Sequence, residues 1–147
     1  MENIKLPPSL AIVGAGSWGT ALAAHSARQG LSVTIWARKK EVADHINNLR
    51  ENPAFLPGLK LPGAIKAVND LKQALVGQKL VLVVVPSHVM REIAISMASH
   101  LEPVTVVISA SKGIEDETAA TMAQILEEEM KCCPGLDVGA ISGPSFA

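Results

Sequence analysis

The chain has few aromatic residues, and its charges nearly cancel. Of its 147 residues, 3% are aromatic and none is tyrosine, while 48% are hydrophobic, so we expect an aliphatic, alanine-rich core. Thirteen basic residues stand against fourteen acidic ones, for a formal net charge of −1. This balance gives no electrostatic basis for binding nucleic acid or an anionic membrane. The length predicts one domain, residues 1–147.

Long hydrophobic runs and cysteine pairs are scarce as well. The longest apolar run, residues 80–85, is far shorter than the about 20 residues that a membrane helix needs. Residues 1–5 lack the apolar core of a secretion signal. The two cysteines, Cys132 and Cys133, are neighbours, which predicts neither a mutual disulfide nor a metal site. We therefore expect reduced thiols, no bound metal and a cytoplasmic protein.

A glycine-spaced turn, residues 14–19, joins the apolar segment 10–13 to an alanine-rich segment. Gly14 allows a sharp turn, Gly16 lets a pyrophosphate approach the backbone, and Gly19 lets a helix pack closely on the strand. A helix that begins near residue 17 directs its positive end at the same place. The pattern predicts the start of a dinucleotide-binding unit; the alternative is an ordinary strand-to-helix turn.

Strand and helix patterns alternate along the rest of the chain. The six predicted strands are residues 10–13, 32–36, 65–68, 80–85, 104–108 and 138–141. The predicted helices begin near residue 17, span 39–51, follow a cap at Asn69 or Asp70, and span 87–100 and 116–131. This alternation predicts an α/β fold, a Rossmann-type doubly wound and mostly parallel sheet with strand order 3-2-1-4-5-6.

In that order strands 1, 4, 5 and 6 are neighbours, and each ends in polar or glycine-bearing sequence. These ends are residues 14–19, 86–88, 109–113 and 142–146. Ligands of open α/β sheets bind beyond the carboxyl ends of the strands, where the strand order reverses. Each loop alone could be an ordinary turn, but together they predict one cleft.

The end of the second strand bears on the choice of cofactor. NAD enzymes usually place an acidic residue about 20 positions after the glycine turn. Here that stretch contains Arg38, Lys39 and Lys40, which would attract a 2′-phosphate. We therefore favour NADP(H), with NAD(H) open because Glu41 could contact a ribose. A solvated basic helix start is the alternative.

Lys112 is the candidate for chemistry, because it follows an apolar strand and precedes Gly113. Its ammonium group would project into the cleft and hydrogen-bond a substrate carbonyl or stabilise a developing oxyanion. The alternative is an exposed loop lysine. The interpretation requires Lys112 to lie on the same rim of the sheet as Gly16.

Several motifs together resemble the N-terminal half of the bacterial NAD(P)-dependent glycerol-3-phosphate dehydrogenases. They are residues 14–23, Asn-Pro-Ala-Phe-Leu-Pro-Gly at 52–58, Val-Val-Pro-Ser-His at 84–88, Ser-Lys-Gly-Ile-Glu at 111–115 and Ser-Gly-Pro-Ser-Phe-Ala at 142–147. The resemblance implies reversible hydride transfer between the nicotinamide and C2 of glycerol 3-phosphate or dihydroxyacetone phosphate, a reaction that feeds phospholipid synthesis.

The resemblance also implies roles for individual residues. Lys112 would touch both cofactor and substrate, Gly143 and Ser145 would hold the substrate, and Ala147 would lie near the cofactor. The predicted cofactor-binding residues are Gly14, Gly16, Ser17, Trp18, Gly19, Arg38, Lys39, Pro86, Lys112 and Ala147.

Members of that family continue into a mostly helical second domain, which supplies the lysine proposed as proton donor and much of a homodimer contact. That domain is absent from this sequence. We therefore expect weak dinucleotide binding, little or no turnover, and self-association through uncovered apolar surface. Two alternatives remain open: a related dehydrogenase such as a ketopantoate reductase, and a dinucleotide-binding module without catalysis.

Overall fold

The computed structural model describes residues 8–142, which form one sheet with helices on both faces. The strands are β1 (Ser9–Val13), β2 (Ser32–Trp36), β3 (Ile65–Val68), β4 (Leu80–Val83), β5 (Val106–Ser109) and β6 (Asp137–Ala140). The α-helices are α1 (Ser17–Arg28), α2 (Lys40–Leu49), α3 (Leu71–Leu75), α4 (Met90–Ala98) and α5 (Met122–Glu129). A 3-10 turn, Ser87–Val89, precedes α4. In this part of the chain no helix has the length and apolar character needed to cross a bilayer.

The six strands pair in the order β3-β2-β1-β4-β5-β6, and every pairing is parallel. The predicted fold class and strand order are therefore confirmed. The order reverses at β1, whose Val13 aligns with Trp36 of β2 on one side and Val83 of β4 on the other. The carboxyl ends of β1, β4, β5 and β6 consequently lie side by side.

The core has two parts, one on each face of the sheet. Alternation along β1 sends Leu10 and Ile12 toward α1 and α2, and sends Ala11 and Val13 toward α3, α4 and α5. On the first face the helices contribute small residues such as Ala23, and on the second they contribute methionine and branched side chains. Because helices cover both faces, the strands carry nearly continuous apolar sequence.

The helix predicted over residues 116–131 is shorter than expected, since it begins at Met122 and ends at Glu129. Thr121 caps it by accepting from the backbone N–H of Gln124, whose side chain accepts in return from the N–H of Thr121. Just before the cap, Ala119 adopts a left-handed conformation with φ 57°. A helix cannot continue through that conformation, so residues 116–118 form a separate turn and the helix begins only after Thr121.

Other helix and strand boundaries differ from the predicted ones by smaller amounts. β5 was expected from residue 104 but begins at Val106, because Val104 has a φ of 60° and donates instead to the backbone oxygen of Pro134. α2 ends at Leu49 because Arg50 adopts the left-handed conformation. The cap of α3 is Asp70, whose carboxylate accepts from the N–H of Gln73 at 3.0 Å.

Candidate functional site

The glycine turn between β1 and α1 is tightly packed at both ends. Gly14 has a φ of 121°, and a Cβ atom there would lie 2.1 Å from the backbone oxygen of Val84. A Cβ on Gly19 would lie 1.9 Å from the backbone oxygen of Gly14. Neither position has room for a side chain, so these two glycines bring α1 against β1 and β4.

Gly16 is different, because a Cβ there would meet nothing within 4 Å. Gly16 occupies the N-cap position of α1, and no side chain hydrogen-bonds to the free N–H groups there. Its backbone oxygen accepts from the N–H of Thr20 at 2.9 Å. The open space above Gly16 and the uncapped helix start suit an anion, whose charge the free N–H groups and the helix dipole would stabilise.

Two cavities meet at this turn and form one cleft along the carboxyl ends of the strands. The larger, of about 1250 Å³, is bordered by Trp18, Lys112 and Ile141. The smaller, of about 340 Å³, is bordered by Arg38, Lys39, Phe55 and His88, among others. Both are lined by Gly16, Val84, Val85 and Pro86. Gly16 and Lys112 therefore lie on the same rim, as the sequence interpretation required.

The loop after β5 places Lys112 in the larger cavity. Its neighbour Ser111 accepts from the N–H of Val85 at 2.9 Å and donates to the backbone oxygen of Val83 at 3.3 Å. On the other side Gly113 has a φ of 106°, and a Cβ there would be 3.3 Å from that of Ser87. Lys112 is exposed and has no ion-pair partner within residues 8–142.

The loop after β2 is held by one amide. Asn69 donates to the backbone oxygens of Ala37 and Arg38 at 2.8 and 2.6 Å, and its own backbone oxygen accepts from the indole of Trp36. The exposed side chains of Arg38 and Lys39 follow, at the smaller cavity.

Two further charged residues of this stretch lie elsewhere. Lys40 forms an exposed ion pair with Asp44 at 2.7 Å and does not border the smaller cavity. Glu41, considered above as a ribose contact, does not border it either. The basic side chains at this cavity are therefore Arg38 and Lys39 among the described residues.

A buried asparagine joins the loop at 52–58 to the glycine turn; it is the first residue of the motif quoted above, but no role in the site was predicted for it. Asn52 is fully buried, and its Nδ2 donates to the backbone oxygen of Ala15 at 2.9 Å and to Oγ1 of Thr20 at 2.8 Å. Ser17 Oγ donates to the backbone oxygen of Phe55, a residue that borders the smaller cavity. The available signal was Thr20, because a hydroxyl inside an alanine-rich helix needs a buried partner.

Arg91 of α4 forms a charge cluster beside the loop of Lys112, also missed from the sequence. Its Nε and Nη2 donate to the two carboxylate oxygens of Glu115, both at 2.7 Å, and it also pairs with Glu128 and Glu129 of α5. The hydrogen bonds from Arg91, and then that from Thr118, lower the pKa of Glu115 to about 2. The hydrogen bonds to Glu115, then Glu129 and then Glu128, raise the pKa of Arg91.

Three predicted residues, Gly143, Ser145 and Ala147, lie outside the described part of the chain. The cysteines are away from the cleft: burial raises the pKa of the Cys133 thiol, which donates to the backbone oxygen of Ala98 at 3.3 Å. Among residues 8–142 no cluster of His, Cys, Asp or Glu side chains could hold a metal ion.

Comparison with known proteins decides the family. The family described as NAD-dependent glycerol-3-phosphate dehydrogenase N-terminus matches residues 9–147. The chain belongs to this family. A glycerol-3-phosphate dehydrogenase (NAD(P)+) of Desulfotalea psychrophila is 42% identical over 146 residues, which are 97% of this chain and 43% of that protein. The chain thus spans less than half the length of this relative.

Solved structures agree with the glycerol-3-phosphate dehydrogenase assignment. The crystal structure of glycerol-3-phosphate dehydrogenase from Coxiella burnetii superposes with a TM-score of 0.84 at 33% identity, over 94% of this chain and 41% of that one. A ketopantoate reductase from Ralstonia eutropha superposes with a TM-score of 0.64 at 23% identity, over 90% and 40% of the two chains. That second likeness shows a shared fold only.

Proposed function

We propose that this chain is the dinucleotide-binding part of a glycerol-3-phosphate dehydrogenase. The whole enzyme would move hydride reversibly between a nicotinamide dinucleotide and C2 of dihydroxyacetone phosphate or glycerol 3-phosphate, for glycerophospholipid synthesis. The observation that carries the proposal is the shared cleft, in which Gly16 and Lys112 border the same cavity. Membership of the glycerol-3-phosphate dehydrogenase family supplies the reaction.

The residues around the glycine turn fit a dinucleotide. The open space at Gly16 and the uncapped start of α1 would hold the pyrophosphate. The smaller cavity, with Arg38 and Lys39 at its edge, would take the adenosine end. Guanidinium and ammonium groups there favour the 2′-phosphate of NADP(H), and NAD(H) stays the second candidate. Gly14, Ser17, Trp18, Gly19 and Pro86 complete the proposed cofactor site.

Lys112 would act on the substrate in the larger cavity. The nicotinamide, when bound, supplies or accepts the hydride. The ammonium group of Lys112 would donate a hydrogen bond to the substrate oxygen on C2 and stabilise the negative charge that develops there. Its lack of an ion-pair partner among residues 8–142 leaves the charge available. By resemblance, Gly143 and Ser145 would also hold the substrate, and Ala147 would lie near the cofactor.

Cellular location and association belong to the same proposal. The free cysteines Cys132 and Cys133 suit a reducing compartment, and we place the protein in the cytoplasm. Trp18 and Ile141, about half exposed at the mouth of the larger cavity, are apolar surface through which copies of the chain would associate. Light scattering over a concentration series should show a rising mass; a constant monomer mass would contradict the association.

The proposed function is tested by binding. Both tryptophans, Trp18 and Trp36, border the cleft, so energy transfer from indole to a reduced nicotinamide reports binding without a label. We expect saturable binding of NADPH, and we expect dihydroxyacetone phosphate to tighten it. Lys112→Ala should abolish that tightening, whereas Lys131→Ala, an exposed lysine outside both cavities, should leave it unchanged. Absence of NADPH and NADH binding would overturn the proposal, and binding without any effect of the phosphate substrate would favour a module without catalysis.

A further inference from the structure

The loop that carries Lys112 is fixed on both sides of that residue. Ser111 is hydrogen-bonded to the backbone at the end of β4. Three residues after Lys112, the carboxylate of Glu115 receives two parallel hydrogen bonds from Arg91 and a third from the hydroxyl of Thr118. Lys112 and Gly113 therefore lie in a short segment between two anchors.

The second anchor is the partly buried ion pair between Arg91 and Glu115. The side chains of Arg91 and Glu115 are 30% and 18% exposed, and the two-bond contact between guanidinium and carboxylate fixes direction as well as distance. Neither residue borders the cavities, so neither would touch a bound dinucleotide or substrate. Arg91 is itself held from the other side by Glu128 and Glu129 of α5.

The position of Arg91 in the chain connects this anchor with the cleft. It is the second residue of α4, two positions after Val89, which borders the smaller cavity together with Pro86 and His88. The loop of Lys112 has no helix or strand of its own between Ala110 and Thr121. A long lysine side chain on such a loop points in many directions unless its backbone is held.

We propose that Glu115, held by Arg91, is a positioning residue that fixes the backbone around Lys112, so that its ammonium group stays in the cleft. The inference rests on the proposed function, because the proposed function supplies the cofactor and substrate that Lys112 would contact. The ion pair between Arg91 and Glu115, which lies outside the cleft, would then determine how strongly Lys112 binds a ligand inside it.

The test is a double-mutant cycle on the 147-residue chain, with NADPH and dihydroxyacetone phosphate as probes. Glu115→Gln should weaken the binding of NADPH in the presence of dihydroxyacetone phosphate by about fivefold or more. In a Lys112→Ala background the same substitution should change this NADPH affinity less than about twofold. Glu128→Gln is the matched control, because it removes a carboxylate from the same arginine without touching the loop. In protein labelled with carbon-13 at lysine Cε, the Lys112 resonance, assigned from Lys112→Arg, should lose its ligand-induced shift in Glu115→Gln only.

The outcomes separate the two claims. Equal losses from Glu115→Gln in both backgrounds, or an unchanged Lys112 shift, would overturn the positioning role and leave the proposed function intact. Absence of any dinucleotide binding by the unsubstituted chain would overturn both. If Glu115→Gln fails to fold, Arg91→Lys replaces it, because lysine keeps the positive charge but cannot make the two parallel hydrogen bonds. Arg91→Lys should then weaken NADPH binding in the original chain and have little effect in the Lys112→Ala background. NADPH binding as tight in Arg91→Lys as in the original chain would overturn the positioning role.

Discussion

The Cβ position of Gly19 lies 1.9 Å from the backbone oxygen of Gly14, while that of Gly16, between them in sequence, meets nothing within 4 Å. Three glycines of one short turn thus serve two purposes. Two of them allow backbone segments to pack together, and the third leaves a space open toward the cleft. Because the purposes differ, substitution by the same residue should have different effects at each position.

Gly19→Ala should destabilise the fold by about 1–3 kcal/mol, since the added methyl group would overlap a backbone atom that cannot move freely. Urea unfolding measures the change. Gly16→Ala is the matched comparison: it should change stability by less than about 1 kcal/mol and weaken NADPH binding at least tenfold. Equal stability of the two variants would contradict the assignment of Gly19 to packing.

Asn52→Asp should destabilise the protein at neutral pH by about 2–4 kcal/mol, because a carboxylate cannot donate to the backbone oxygen of Ala15 and its charge would be buried. The hydroxyl of Thr20 could still donate to it, so the loss is not complete. Thermal unfolding provides the measurement. Asn48→Asp, on the exposed side of α2, should have little effect, and a comparable loss there would mean that burial is not the cause.

Arg38→Gln should reduce the affinity for NADPH by about tenfold and that for NADH much less, as expected for loss of one charge-assisted hydrogen bond to a 2′-phosphate. Lys40→Gln is the matched control, because it removes one positive charge from the same stretch. Lys40 pairs with Asp44 outside the cavity, so this substitution should leave the affinities for NADPH and NADH unchanged. Equal losses for the two cofactors in Arg38→Gln would refute the preference for NADP(H).

Much of the fold could be predicted because its signals are local. The apolar run ending at Val13, the glycines after it and the alternation of strands and helices each depend on residues close together in sequence, and they led to the observed strand order. That order in turn brought Lys112 to the rim that holds Gly16. The start of α5 was wrong because the turn at Ala119 is left-handed, which an alanine gives no reason to expect.

The contacts that support the cleft could not be predicted. Asn52 and Thr20 are 32 residues apart, and Arg91 and Glu115 are 24 apart. No periodicity relates such pairs, and nothing in composition distinguishes Glu115 from its acidic neighbours Asp116 and Glu117. Only folding gives one carboxylate a guanidinium partner and leaves the others exposed.

The pH dependence of stability should identify Glu115 among the acidic residues. Hydrogen bonds from Arg91 and Thr118 lower its pKa from an ordinary 4.5 to about 2, so the folded state favours the charged carboxylate more than the unfolded chain does. Its contribution is therefore fully present above about pH 4.5 and is lost as the pH falls toward 2. Glu128 and Glu129, which pair with the same arginine, are present in both the protein and its Glu115→Gln variant, so the comparison of the two isolates Glu115.

Urea unfolding at a series of pH values should accordingly show a smaller loss of stability on acidification in Glu115→Gln than in the original chain. Glu117→Gln, exposed on the same loop, should follow the original curve. Added salt should reduce the difference, because both partners are partly exposed and their attraction is screened. Parallel curves for the original chain and Glu115→Gln would mean that the carboxylate gains nothing from Arg91 in the folded state, and Glu115 would then not be an anchor of the Lys112 loop.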